Sequence, residues 1–257
     1  MSLMPVLFVG HGSPMNALDT NPFTVGLNTL GKMLPKPQAI LCVSAHWETQ
    51  GTQVLYNAAP ATIHDFYGFP KALFDVQYPA RGPLSIAHEA QKLLPDSTLN
   101  EKWGLDHGAW SVLVHMFPHA DIPVFQVSLD VTKTPEQHLE MGKLLRPLRE
   151  KGVLILGSGN IVHNLRVLNW REPTAVYPWN QEFDLAIKKS LEERDTATLT
   201  GFEKKLGEAA ALSVPTPEHY LPLLYCYGAS TEQDKISYPY EGGYEMGSLS
   251  MRSVLWS

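Results

Sequence analysis

Histidines follow two apolar runs of the sequence, at the point where each run ends. His11 comes after the run Pro5 to Val9, between two glycines, and His46 comes after the run Ala39 to Ser44. If both runs are parallel strands, their carboxyl ends share one edge of the sheet, where ligands bind in open α/β folds. Neutral imidazole is a common ligand for zinc, iron and copper. The two histidines therefore predict a metal site at that edge.

Three more histidines stand in segments that suit chemistry. His163 follows the run Val153 to Leu156 and a Gly-Ser-Gly turn that lacks the further residues of a dinucleotide fingerprint or phosphate loop. His107 opens an apolar helical run, and an imidazole with a pKa near 6.5 can both give and take a proton at neutral pH. His219, beside Glu218, stands in a proline-flanked segment that could hold either side chain rigidly. Spacing alone supports a mononuclear metal site and no more.

The elements that must position these histidines alternate between strand-like and helix-like runs. This alternation predicts an α/β fold with a mostly parallel central sheet flanked by helices. No linker-like segment interrupts residues 1–257, which we interpret as a single catalytic domain. The predicted strands are Pro5 to Val9, Ala39 to Ser44, Ile122 to Leu129, Val153 to Leu156 and Leu223 to Tyr227, with Ser248 to Leu255 as an added edge strand; the predicted helices are Phe23 to Leu34, Leu84 to Leu94, Pro135 to Lys151 and Trp179 to Glu193.

Composition excludes several classes of partner. Of 257 residues, 44% are hydrophobic and 18% charged, which indicates an ordinary globular core. The net charge is −6 with no basic patch, which argues against nucleic acid and anionic membranes as partners. There is no secretion signal and no apolar run near the roughly 20 residues of a membrane span. Cys42 and Cys226 lie in apolar runs, as buried thiols of a reducing compartment do. We predict a cytoplasmic protein, either a monomer or a small homo-oligomer.

The five histidine-bearing motifs occur in order along the chain and together resemble the class III extradiol ring-cleaving dioxygenases, within them the 4,5-DOPA dioxygenase branch. The resemblance extends from Leu7 to Ser250. It implies that His11, His46 and His219 bind a metal, that His107 is an acid/base catalyst, and that His163 is either a further ligand or a second acid/base group. The better-known iron enzymes of the family use two histidines and one carboxylate. Here His219 takes the third place, and the adjacent Glu218 is the alternative.

The resemblance also implies a reaction. We expect an enzyme that opens a catechol, L-DOPA or a related one, with O2 to a semialdehyde. Fe(II) is the expected working ion because zinc has no redox chemistry, although Zn(II) suits the same ligands and is expected on purification. His64, in an aromatic loop, and Tyr220 are expected to contact the substrate. Two alternatives stay open: a zinc-dependent hydrolase using the same site, and a non-enzymatic relative of the family.

Overall fold

A six-stranded sheet forms the centre of the structure, a computed structural model that describes residues 3–257. The first four strands in its spatial order pair in parallel, and the last two join them antiparallel. The predicted α/β fold with a mostly parallel sheet flanked by helices is therefore confirmed, and the chain forms a single domain. The strands in spatial order are β6 (Val124–Gln126), β2 (Ala39–Ser44), β8 (Val153–Gly159), β1 (Val6–Gly10), β12 (Ser253–Trp256) and β9 (Ile236–Tyr240).

Short strand pairs and helices surround this sheet. Within residues 3–257, no helix is long and apolar enough to cross a membrane. The short pairs are β3 (Glu48–Thr49) with β7 (Leu129–Asp130), β4 (Gln53–Leu55) with β5 (Thr98–Asn100), and β10 (Tyr244–Glu245) with β11 (Leu249–Ser250). The helices are α1 (Pro22–Met33), α2 (Lys71–Phe74), α3 (Leu84–Leu93), α4 (His107–Met116), α5 (Pro135–Leu145), α6 (Pro178–Glu192), α7 (Thr196–Thr200), α8 (Phe202–Ser213) and α9 (Leu221–Ala229).

Most predicted elements are confirmed, with changed ends. The predicted helix Pro135 to Lys151 is α5 followed by a 3-10 helix over Arg146–Lys151, because Pro147 has no N–H to continue an α-helix. The predicted strand Ile122 to Leu129 divides into β6 and β7, which pair with different neighbours. The Gly-Ser-Gly segment before His163 is not a turn but the end of strand β8.

The predicted strand Leu223 to Tyr227 is wrong, because this run lies inside helix α9. Every residue of α9 is buried, so its sequence shows no periodicity that would separate a buried helix from a buried strand. Pro222, near its start, suits the first turn of a helix. Helix α9 packs closely on α5: a Cβ at Gly142 would lie only 2.3 Å from the carbonyl oxygen of Tyr225.

The prediction of an edge strand at Ser248 to Leu255 is also wrong, because the strand in this segment is not at the edge of the sheet. The segment Ser248 to Leu255 contains β11 and most of β12, and β12 lies between β1 and β9. The edge is β9, which the sequence analysis did not predict. Cys42 and Cys226 are both buried and free, as predicted.

The carboxyl ends of the parallel strands meet at one edge, as the predicted site requires. Gly10 of β1 pairs with Gly159 of β8, and Ser44 of β2 pairs with Ser158. A Cβ at Gly159 would lie 2.1 Å from the carbonyl oxygen of His219, so only glycine lets that segment approach the end of β8. The N–H of Asn160 donates to the same carbonyl at 2.8 Å. These contacts bring His219 to the edge where β1 and β2 end.

Candidate metal centre

Three histidines converge at this edge of the sheet. His11 follows β1, His46 follows β2, and His219 immediately precedes the segment that starts α9. One donor atom from each side chain lies within 4.8 Å of the others. The Nε2 atoms of His11 and His46 are 3.2 Å apart. His11 and His219 are buried and His46 is half-buried, so the cluster is largely shielded from solvent.

Hydrogen bonds at the opposite ring nitrogens decide which nitrogen carries the proton. Nδ1 of His11 lies 2.9 Å from Oγ of Ser158, whose own hydroxyl donates to the carbonyl oxygen of Gly108 at 2.6 Å. Nδ1 of His11 is therefore the donor to Ser158. Nδ1 of His219 donates to Oε1 of Glu218 at 3.1 Å. Both rings are left with a free lone pair on Nε2.

This donor set fits a metal ion. Tetrahedral coordination at about 2.0–2.1 Å places neighbouring ligand nitrogens about 3.3 Å apart. The separation of 3.2 Å between Nε2 of His11 and Nε2 of His46 agrees with that spacing. Nδ1 of His46 faces the carboxylate of Asp65 at 3.7 Å, which favours a proton on Nδ1 and a lone pair on Nε2. The same 3.2 Å separation also suits an N–H···N hydrogen bond between the two rings when one of them carries its hydrogen on Nε2.

Burial keeps these imidazoles neutral, the form that binds metal. Burial first, and then the neighbouring imidazoles, hold the pKa values of His11 and His219 well below 6.5. Burial likewise lowers the pKa of His46 to about 3. The three imidazole rings are therefore neutral at neutral pH without any bound cation.

His107 borders the centre but has a different partner from the one its sequence neighbours suggest. Its ring centroid is 3.8 Å from that of His46. The adjacent Asp106 caps helix α4 through the N–H of Ala109 and accepts hydrogen bonds from Ser44 and Gln126. The carboxylate that binds the His107 ring belongs to Asp65, whose Oδ2 accepts from Nδ1 at 2.8 Å.

His163 stacks on His219 and does not point at the same centre. The two rings are parallel within 6°, with centroids 3.4 Å apart. His163 is not one of the three histidines whose donor atoms meet within 4.8 Å; it forms a separate group of donor atoms with Glu218 and His219. Burial lowers the pKa of His163 to about 4. In this arrangement His163 is a neutral group beside the three-histidine cluster.

The two side chains predicted to contact substrate are held by contacts outside the three-histidine cluster, and their contact with substrate stays a prediction. Nε2 of His64 donates to the carbonyl oxygen of Val76 at 2.9 Å, so its ring anchors the aromatic loop. Tyr220 is fully buried, its ring packs 4.5 Å from that of Phe202, and its hydroxyl donates to the carbonyl oxygen of Leu199. Of that aromatic loop, Phe66 approaches the centre, with its ring 5.6 Å from that of His107.

Comparison with known proteins decides the family. Residues 10–250 match the family described as the catalytic LigB subunit of aromatic ring-opening dioxygenase. The chain belongs to the LigB family. The match covers all five histidine motifs, and the resemblance inferred from them is confirmed.

Individual relatives agree with the family match. A 4,5-DOPA dioxygenase extradiol of Escherichia coli (strain K12) is 49% identical over 255 residues, which cover 98% of this chain and 94% of that protein. A protein of the same name from Beta vulgaris is 36% identical, covering 91% of this chain and 90% of its own. The crystal structure of an uncharacterized protein from Escherichia coli K12 superposes with a TM-score of 0.87 at 43% identity, covering 99% of this chain and 100% of that one. This LigB-family chain is therefore an extradiol dioxygenase.

Sequence reasoning missed two residues of this LigB-family site. In the sequence, Ser158 is the serine of the Gly-Ser-Gly segment before His163, and Asp65 follows His64 in the aromatic loop. Asp65 is 42 residues from His107 in the sequence, and Ser158 is 147 residues from His11. No local pattern links such distant partners, so only the fold identifies them.

Proposed function

We propose that this LigB-family enzyme uses one divalent metal ion and O2 to open the ring of a catechol, L-DOPA or a related one, to a semialdehyde. One observation carries the proposal: three histidines each bring a ring nitrogen to within 4.8 Å of the others at the carboxyl edge of the sheet, with Nε2 of His11 and Nε2 of His46 3.2 Å apart. The names of the relatives from Escherichia coli and Beta vulgaris support L-DOPA as the catechol to test first.

His11, His46 and His219 are the residues that would hold the metal. When bound there, Fe(II) would acidify the catechol hydroxyls and supply the redox chemistry that O2 requires and that Zn(II) lacks. Three nitrogen ligands also suit Zn(II), so the metal found after purification need not be the working one. Glu218 serves in this proposal as the hydrogen-bond acceptor for His219.

Residues around the metal site would transfer protons and contact the substrate. His107 packs against His46 and His163 packs against His219, so both border the cluster. We assign them to proton transfer, which typically contributes about 10² to 10⁴ in rate. The ring of Phe66, edge-on to His107, provides an apolar contact for a flat aromatic substrate.

The test is anaerobic reconstitution with Fe(II), followed by addition of L-DOPA and air. Dissolved O2 and the visible spectrum are recorded together. We expect one O2 consumed per catechol and a yellow ring-opened product. His46→Ala should bind no metal and show no activity, whereas the matched control His88→Ala, an exposed histidine on α3, should behave as wild type.

A second outcome would favour the hydrolase. A water bound to a mononuclear zinc ion is a potent nucleophile at neutral pH. If the Fe(II) protein consumes no O2 with any of several catechols, catechol is excluded as the substrate class. Hydrolysis of a model ester by the Zn(II) protein, abolished in His46→Ala, would then establish the hydrolase, and its absence would leave a binding role.

A further inference from the structure

The carboxylate of Asp65 holds His107 by two hydrogen bonds. Oδ1 accepts from the backbone N–H of His107 at 2.9 Å, and Oδ2 accepts from Nδ1 of its ring at 2.8 Å. His107 is buried, so few water molecules compete for these bonds. Both atoms of one carboxylate are thus committed to one residue.

The ring hydrogen bond fixes the tautomer of His107. An ionised carboxylate only accepts hydrogen bonds, so Nδ1 of His107 must carry a hydrogen. In the neutral ring the lone pair then lies on Nε2, the only ring nitrogen left to receive a proton.

The loop that carries Asp65 is anchored by hydrogen bonds at the two residues that precede it. Nε2 of His64 donates to the carbonyl oxygen of Val76 at 2.9 Å, and Nε1 of Trp110 donates to the carbonyl oxygen of Ile63 at 2.8 Å. At the start of helix α4, Asp106 accepts from the N–H of Ala109 and Oδ1 of Asp65 accepts from the N–H of His107, so Oδ2 of Asp65 is not needed to cap the helix. The bond from Oδ2 to the ring therefore has no evident structural purpose other than orienting His107.

Two other roles for Asp65 are less consistent with the distances. Oδ2 lies 3.7 Å from Nδ1 of His46, beyond hydrogen-bond length, against 2.8 Å from Nδ1 of His107. His46, Asp65 and His107 also form a group with donor atoms within 4.8 Å of one another, as a metal site would. In that site Nδ1 of His107 would have to lose the hydrogen that it donates to Asp65.

We infer that Asp65 is a positioning residue, which holds His107 as the Nδ1–H tautomer and so makes its Nε2 the base for the first proton transfer. This step rests on the proposed catechol chemistry. An O–H bond of the substrate breaks, its proton forms a bond to Nε2, and the negative charge remains on the catechol oxygen. The imidazolium is paired with the Asp65 carboxylate and later returns the proton. His107 is therefore the base that takes this proton and the acid that returns it.

The test uses Asp65→Asn, which keeps the size of the side chain and removes its charge. The amide can donate to Nδ1, which favours the opposite tautomer, with the hydrogen on Nε2. The tautomer is determined by ¹⁵N NMR of the metal-free protein at a pH where His107 is neutral, with the His107 signals assigned from their loss in His107→Gln. We expect the Nδ1–H tautomer in wild type and the Nε2–H tautomer in Asp65→Asn. Asp75→Asn, at the exposed end of α2, is the matched control and should keep the wild-type tautomer.

Kinetics and metal binding complete the test. In the Fe(II) protein we expect Asp65→Asn to lower kcat by about 10² to 10⁴, with KM changed by no more than about three-fold. Its affinity for Zn(II), measured by chelator competition, should equal that of wild type. Unchanged His107 tautomer would overturn the inference, and so would loss of metal, which would make Asp65 a ligand. If wild type opens no catechol while the tautomer changes as expected, the proposed reaction fails and the orienting contact stands.

Discussion

The hydroxyl of Ser158 accepts a hydrogen bond from Nδ1 of His11, with the two atoms 2.9 Å apart in the buried edge of the sheet. The same hydroxyl donates its hydrogen to the carbonyl oxygen of Gly108 at 2.6 Å, so in the bond between Ser158 and His11 the ring nitrogen must be the donor. The strand β8 thus orients a ring that follows strand β1. Partners of this kind fix the tautomer of a metal-binding histidine and raise its basicity.

Replacing Ser158 with alanine should weaken metal binding. The change removes the acceptor for Nδ1 of His11 and leaves the ring free to rotate or change tautomer. We expect a loss of about 10 to 100-fold in affinity, as is typical for such partners. Zn(II) affinity is measured by competition with a chromogenic chelator. Ser190→Ala, whose hydroxyl donates within helix α6, is the control and should bind as wild type. Equal affinities in all three proteins would contradict this role of Ser158.

His163 should be dispensable for metal binding but not for turnover. His163→Phe keeps a flat ring against His219 while removing both nitrogens. Because His163 is not part of the group formed by His11, His46 and His219, metal content should stay at the wild-type level. Turnover of the Fe(II) enzyme should fall by about 10² to 10⁴. Elemental analysis and O2 uptake measure the two effects.

The informative comparison is with His219→Ala, which should lose both metal and activity. If His163→Phe loses metal to the same extent, His163 is a ligand in the working enzyme. The stacked geometry would then have to change when metal binds.

Much of this site was predictable from sequence because it depends on strand ends. His11 and His46 follow short buried strands directly, and parallel strands bring their carboxyl ends to one edge of the sheet. The apolar runs before them contain the β-branched residues Val and Ile, which favour strands. The family motifs added His107, His163 and His219.

What could not be predicted depends on contacts between distant segments. The run Leu223 to Tyr227 is apolar on every side because α9 is buried from all directions, so no period distinguishes helix from strand. Asp65 contacts His107 only because an anchored loop returns to the start of α4. Asp106, the neighbour of His107 in the sequence, instead accepts from the N–H of Ala109 and caps helix α4.

Close packing of α5 on α9 predicts a large effect of a small change. A Cβ at Gly142 would lie 2.3 Å from the carbonyl oxygen of Tyr225, so the two helices must separate to accept Gly142→Ala. We expect a loss of about 1–3 kcal/mol in the free energy of unfolding, which is typical of overpacking. Urea denaturation at neutral pH measures it.

A glycine-to-alanine substitution at an open position should instead raise the free energy of unfolding. In helix α1, a Cβ at Gly26 would have its nearest neighbour, in the ring of Tyr240, 3.9 Å away. Gly26→Ala should therefore raise the free energy of unfolding by about 0.5–1 kcal/mol, because alanine loses less backbone entropy than glycine when the helix forms. If both variants shift stability in the same direction, the close contact at Gly142 does not control the packing of α9.

The buried ion pair between Arg149 and Asp234 predicts how stability depends on pH. The Arg149 side chain is fully buried, donates to both carboxylate oxygens at 2.7 Å, and also binds the carbonyl oxygens of Met4 and Ala229. Burial would raise the pKa of Asp234, but hydrogen bonds from Arg149 and Thr231 outweigh it and hold the pKa below its usual value. The pair therefore stabilises the fold above the unfolded pKa of about 3.9, and this contribution is lost as pH falls through the folded pKa.

Asp234→Asn should lower the free energy of unfolding at neutral pH by about 3 kcal/mol, because it leaves the Arg149 guanidinium buried without its counter-ion. The difference from wild type should narrow as pH falls below about 4, where the wild-type carboxylate also becomes protonated. Urea midpoints measured from neutral pH downward test both statements. Asp121→Asn, which breaks an exposed pair with Lys36, should leave the midpoint nearly unchanged and serves as the control. A difference between Asp234→Asn and wild type that stays constant, or grows, on acidification would show that Arg149 is held mainly by its carbonyl partners and not by the charge of Asp234.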